Sequence, residues 1–212
     1  MNRLGPPDVT TNMDRETASL SQVSDDTRAP AITAVAVQFP PHPHSQAEVI
    51  GALTKHAGPE FVRFAEASGV GSRHLALPLD EYPGLTGFTE ANARYLDVAM
   101  ELGAQAIESA LASAGLQPAD VDVVFTTTVT GAVVPTLDAR LAGALGMRPD
   151  VKRVPLFGLG CVAGAAGIAR MNDYLRAYPD QVALLLAVEL CSLTIQRDDS
   201  SMANLVATSL FG

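Results

Sequence analysis

The chain has 212 residues, 48% apolar and 5% aromatic, no tryptophan and a net charge of −9. That length allows one sizeable core or a piece of a larger domain, and the acidic balance argues against nucleic acid, whose phosphates need a basic surface. No run of about 18 apolar residues is present to span a bilayer, and the first 29 residues lack the apolar stretch of a secretory signal. Two cysteines, Cys161 and Cys191, make neither a metal-ligand spacing nor a disulfide framework. A cytoplasmic location and no metal site are expected.

Residues 1–29 are rich in Asp, Thr, Ser, Asn and Pro and read as a disordered leader. Folded structure is expected from residue 30 onward, with a buried strand over Ala31–Phe39 closed by Pro40, Pro41 and Pro43. Two short helices are expected near 45–56 and 59–68, the first opened by a Ser45/Glu48 capping box. A long helix starts near Thr86 or Thr89. It carries Leu96, Met100, Gly103, Ile107 and Leu111 on one face and ends at Gly115. A second strand covers Asp122–Val129 and a helix covers Pro135–Leu145. Lys152–Phe157 is a third strand, Cys161 to about Tyr178 a helix, Val182–Leu190 a fourth strand, and a last helix begins near Ser201. Alternating strands and helices predict an α/β class with a mostly parallel sheet between helices.

The run Phe157-Gly158-Leu159-Gly160-Cys161-Val162-Ala163-Gly164-Ala165-Ala166-Gly167 carries the chemistry. A strand meets two glycines, then a cysteine, then small residues that pack as a helix. A cysteine at a helix N-terminus meets unpaired N–H groups and the positive end of the dipole, which favours the nucleophilic thiolate. The arrangement is that of a strand–nucleophile–helix elbow. A free cysteine is otherwise most often inert packing.

Three ordered blocks extend this. They are Gly146-Met147-Arg148-Pro149-Asp150-Val151-Lys152-Arg153-Val154 with Gly160-Cys161-Val162-Ala163-Gly164; then Val188-Glu189-Leu190-Cys191-Ser192-Leu193-Thr194; then Asn204 to Gly212, ending Leu210-Phe211-Gly212. On these blocks the chain resembles the type III polyketide synthases, the chalcone and stilbene synthase family of the thiolase superfamily, in a bacterial-like form. The likeness runs from about residue 31 to the end. It implies the N-terminal half of a thiolase-like fold, incomplete over 30–212 and cut before its last strand.

The resemblance implies an acyltransferase. Cys161 would take an acyl group from acyl-CoA as a thioester, and decarboxylation of malonyl-CoA would supply an enolate that attacks it, giving pyrone- or resorcinol-type products. Both CoA thioesters are substrates, and no separate cofactor is expected. By the same resemblance Phe211 gates the passage to the reaction cavity. Cys191, Thr194, Thr130 and Val134 line the substrate pocket, with Val134 on a loop reaching toward the partner of a homodimer. Arg63 and Arg73 would contact CoA, although this segment is poorer in basic residues than the family's. Glu189 reads equally as a structural hydrogen-bonding group or a pocket carboxylate. The family's site histidine and asparagine belong to a second half, and none of the four histidines here follows Cys161. The 212 residues alone are therefore expected not to be competent. The alternatives are a ketoacyl synthase of the initiating kind, and a non-catalytic remnant or interaction partner of an intact homologue.

Overall fold

The structure, a computed structural model, describes residues 29–196, 199 and 201–210, leaving aside the side chains of 54–59. A short strand β1 (His42–Ser45) leads directly into helix α1 (Gln46–Ala67), and β2 (Ser72–Leu75) returns antiparallel to β1 with His42 opposite Leu75. Helix α2 (Phe88–Ala114) precedes β3 (Val123–Thr128). Then follow α3 (Leu137–Ala144), β4 (Lys152–Phe157), α4 (Ala163–Ala177), β5 (Ala183–Ala187) and α5 (Met202–Leu210).

Strands β3, β4 and β5 form a parallel sheet in the order β4-β3-β5, with Val123 opposite both Lys152 and Ala183. Alternate residues serve opposite faces. On one face Leu186 and Val124 belong to the core shared with α2 and α3. On the other, Phe125 meets Tyr174 of α4 edge-on and Leu185 lies beneath Gly167. A Cβ on Gly167 would stand 2.7 Å from Leu185 Cδ1, so the small residues of α4 are what let it lie this close to the sheet. Gly103 does the same for α2, where a Cβ would be 3.2 Å from Leu141 Cδ1.

Buried Asp138 ties the layers together: it accepts from Thr126 Oγ1 at 3.0 Å and from Arg153 Nη1 at 3.3 Å, joining α3 to β3 and β4. The guanidinium of Arg73 does similar work elsewhere. It donates to Gln46 Oε1 and to the carbonyls of Thr208 and Ser209, each at 2.7 Å, holding β2, the start of α1 and the last turn of α5.

Several expectations are met. The capping box is present, with Glu48 N donating to Ser45 Oγ at 3.2 Å and Ser45 N to Glu48 Oε2 at 2.8 Å. Helix α2 ends at Gly115, and β4 has the expected bounds. Other expectations are corrected. Ala31–Phe39 forms no ladder: its side chains alternate in exposure as a pleated chain does, but Ile32, Val35, Val37 and Phe39 stay exposed. A strand exists through its neighbour's hydrogen bonds, and among the described residues none pairs with this segment. The parallel sheet therefore has three strands rather than four. The proline-rich stretch that was to end that strand instead contributes His42–Ser45 to the β1–β2 pair. The two short helices are one, α1, which runs through Pro59. Its second half is held by Phe61 and Ala65 packing with Leu205 of α5, which outweighs the single ladder bond that proline removes. The buried stripe of α2 is headed by Tyr95 and Ala99, with Leu96 and Met100 half-buried beside it.

Candidate active site

The carboxyl ends of parallel strands are where open α/β sheets gather their ligands. Three connections leave those ends here. The first follows β4. Gly158 (φ +84°) and Gly160 (φ +55°) occupy left-handed backbone that side chains disfavour, and they turn the chain sharply. Cys161 sits in the 3-10 turn Gly160–Val162, and α4 begins only at Ala163. The cysteine thus stands two residues before the helix rather than in its first turn. It is exposed and free, on the side where the unpaired N–H groups of α4 favour negative charge.

The second connection follows β3. Its first residues are clamped by Glu189, whose carboxylate accepts from Val129 N at 3.0 Å, Thr130 N at 3.2 Å and Thr130 Oγ1 at 2.7 Å. Thr130 Oγ1 accepts in turn from Leu190 N at 2.9 Å. Of the two roles open to Glu189 in the sequence, the structural one is therefore filled. Val134, farther along the loop, is 93% exposed.

The third connection follows β5. Val188 N still donates to Thr127 O, Glu189 turns toward the β3 loop, and Cys191–Thr194 forms a 3-10 turn. Thr194 is exposed and its Oγ1 donates to Cys191 O at 2.8 Å. Burial pushes the Cys191 thiol's pKa up, and the nearby Glu189 carboxylate adds to the rise. The two cysteines follow β4 and β5, the strands on either side of β3, and Cys161 is exposed where Cys191 is half-buried.

Cys161, Thr130, Cys191 and Thr194 therefore come from the connections at one edge of the sheet. The basic pair does not join them. Arg63 lies exposed on α1 with its guanidinium 5.2 Å from the Phe64 ring centre. Arg73 is only 3% exposed and is spent on the framework contacts given above, a correction to its reading as an open phosphate contact. Burial also draws its pKa down. It forms part of the wall of an apolar cleft of about 500 Å³ between α1, β2 and the turn at Tyr82, to which the Cys161 elbow contributes nothing. Phe211 lies outside the described residues, as do residues 1–28 of the expected leader. Among the described residues no group of His, Cys, Asp or Glu could hold a metal ion, and no helix is long and apolar enough to cross a membrane.

Two residues of this edge escaped the sequence reading. Asn92 holds Ala132 by both of its amide atoms, Nδ2 to Ala132 O at 2.9 Å and Oδ1 from Ala132 N at 2.8 Å. Tyr95 donates to Thr128 Oγ1 at 2.7 Å, and desolvation pushes its pKa up to about 12. Tyr95 could have been found from the i, i+4 spacing Tyr95-Ala99-Gly103-Ile107-Leu111; a lone polar Asn92 gives no such signal.

A parallel α/β unit with a free cysteine on a glycine elbow beyond β4 has the architecture of a thiolase-like fold. Comparison with known proteins narrows this. The FAE1/type III polyketide synthase-like family matches residues 45–212. A 1,3,6,8-tetrahydroxynaphthalene synthase of Streptomyces peucetius subsp. caesius is 50% identical over 191 residues, covering 87% of this chain and 50% of that protein. The phloroglucinol synthase of Pseudomonas fluorescens is 35% identical over 181 residues, covering 83% of this chain and 52% of its own length. Among solved structures, the 1,3,6,8-tetrahydroxynaphthalene synthase of Streptomyces coelicolor A3(2), a bacterial type III polyketide synthase, superposes with a TM-score of 0.81. It is 31% identical, over 86% of this chain and 54% of that one. The chain belongs to the type III polyketide synthase family, and it spans about half the length of these relatives.

Proposed function

We propose that the protein containing this chain is a polyketide-forming acyltransferase with Cys161 as its acyl carrier. The Cys161 thiolate attacks the carbonyl of an acyl-CoA starter, and CoA leaves as its thiolate. Malonyl-CoA then loses carbon dioxide, and the electron pair left behind forms an enolate. That enolate attacks the Cys161 thioester; a carbon–carbon bond forms, the carbon–sulfur bond breaks, and the cysteine is returned. The observation that carries this reading is the exposed cysteine on its Gly158–Gly160 elbow, set beside the Thr130 and Cys191 connections. Thr130, Val134, Cys191 and Thr194 are proposed as pocket wall, and Phe211 as the gate.

Half identity to a tetrahydroxynaphthalene synthase favours a polyhydroxylated aromatic product, alongside the pyrone and resorcinol types. Exposed Phe157 and Val162 at the elbow, and exposed Val134 on the β3 connection, support a homodimer in which they are covered. Arg63 is the remaining candidate for contact with a CoA phosphate. The described histidines His42, His44 and His74 stand on β1 and β2, away from this edge. Developing enolate charge needs preorganised donors, each typically worth about 10²–10³ in rate. A polypeptide of these 212 residues is therefore expected to load an acyl group without completing the condensation.

The test uses the complete reading frame that contains this sequence, incubated with acyl-CoA and labelled malonyl-CoA. Product forms in the wild type and is lost in Cys161→Ala, with mass spectrometry placing the acyl adduct on Cys161. An adduct on Cys191 with Cys161 unmodified overturns the assignment.

A further inference from the structure

We infer that Asn92 and Tyr95 are positioning residues for product length, acting by fixing the loop 129–134 that stands between the two cysteine-bearing connections. This rests on the proposed polyketide synthase reading and adds to it residues that touch no substrate. The argument begins with the strand order. Because β3 lies between β4 and β5, the loop leaving β3 lies between the elbow of Cys161 and the turn of Cys191.

That loop has little structure of its own and takes its shape from two sides. Glu189, beyond β5, holds the backbone of residues 129 and 130. Helix α2 holds the next two. At Gly131 the Tyr95 ring lies so near that a Cβ would be 2.0–2.4 Å from three ring atoms. At Ala132 the Asn92 amide takes up both the backbone N–H and the C=O, as a paired strand would. Asn92 and Tyr95 are three residues apart, so they share one face of α2. Tyr95 is further fixed by its bond to Thr128, the last residue of β3.

Four consecutive loop residues are thus gripped by three side chains, two from α2 and one from the chain beyond β5, where connecting segments are ordinarily the more mobile parts of a fold. The same loop carries Val134, two residues beyond Ala132, which stands out in solvent. A misplacement of about 1 Å that originates far from the chemistry can cost roughly 10²-fold in rate. The grip of α2 is what would set the room left for a growing chain.

The experiment uses the complete enzyme with labelled malonyl-CoA and measures the distribution of product chain lengths, kcat and KM. Asn92→Asp keeps the acceptor for Ala132 N and sets a carboxylate oxygen against the Ala132 carbonyl; Asn92→Ala removes both bonds. Each is expected to shift the ratio of shorter to longer products by about threefold or more and to change kcat by a larger factor than KM. Gly131→Ala, which drives a methyl into the Tyr95 ring, is expected to shift the same ratio, and Tyr95→Leu in the same chain to restore part of it by opening that space. If Gly131→Ala does not fold, the two Asn92 variants decide. A product distribution identical to wild type in both, with only a lower Tm, overturns the inference. A wild-type enzyme that makes no polyketide overturns the underlying reading, and the inference with it.

Discussion

Replacing Arg73 separates a framework residue from a substrate contact. In Arg73→Ala three acceptors among the described residues lose their donor: Gln46 Oε1 and the carbonyls of Thr208 and Ser209, on residues at most 7% exposed. A buried polar group left unsatisfied costs about 1–3 kcal/mol, so three give about 3–9 kcal/mol. Water entering the vacated volume relieves part of this, because carbonyls of a helix's last turn are readily solvated. An expected loss of about 3–5 kcal/mol remains, or about 6–20 °C in Tm for a chain of this size. The Gln46 amide, which also donates to Ala65 O at 3.0 Å, should loosen with it, so amide exchange should rise in α5 and at both ends of α1. Arg73→Lys keeps the charge but cannot reproduce the fork, and should lose about half as much. Thermal unfolding and hydrogen exchange measure both. A Tm within about 2 °C of wild type in Arg73→Ala, together with a raised KM for acyl-CoA, would show that the side chain serves CoA and refute the framework argument.

The two cysteines should differ in reactivity: iodoacetamide at neutral pH is expected to label exposed Cys161 about tenfold or more faster than half-buried Cys191, whose thiol is held up by burial and Glu189. Peptide mapping over time reads this, and equal rates would refute it. The capping box should give α1 an acid-labile start. Hydrogen bonds from the side chain and backbone of Ser45 hold the Glu48 carboxyl below its ordinary value of 4.5, so its contribution is complete above that pH and fades as the pH falls through the lower folded value. Glu48→Gln should therefore be less stable than wild type near neutrality and indistinguishable from it in strong acid, as followed by denaturation at a series of pH values.

The elbow was legible because its signal is local. Gly158 and Gly160 are required by the backbone at their own positions, and the Ala and Gly run that follows is required by the closeness of α4 to Leu185. Strand β5 was legible for a related reason: Ala183–Ala187 is an unbroken apolar run of strand length, and β3 opens on a shorter one, Val123-Val124-Phe125. Ala31–Phe39 has the same look and forms no ladder, because pairing is a property of two segments and only one can be read from a run of residues. Arg73 was misread for the complementary reason. Arginine is exposed by default, and nothing near it in sequence announces that α5, more than 130 residues on, supplies the carbonyls that bury it. The start of α4 was misjudged by two residues, since Cys161 lies in a tighter 3-10 turn that runs directly into the α-helix, and 3-10 turns are frequent at helix N-termini.

The threonines of β3 show how framework and site are made by one stretch of sequence. Val123, Val124 and Phe125 open the strand and are buried; then Thr126, Thr128 and Thr130 follow at every second position. Each hydroxyl engages a different element: Thr126 binds Asp138 of α3, Thr128 binds Tyr95 of α2, and Thr130 binds Glu189 beyond β5. Threonine suits this because its branched Cβ favours a strand while its hydroxyl can bond a neighbour. The intervening Thr127 faces the other way, and its buried hydroxyl has no partner among the described residues. A slip of one residue that brings Phe125 to the place of Thr126 would set an aromatic ring against the buried Asp138 carboxylate and remove its hydroxyl donor. Polar pairing thus fixes the register of β3 at its carboxyl end, as apolar burial fixes it at the other. The point at which the chain leaves the sheet beside Cys161 is determined by that register and by the side chains that grip the loop beyond it.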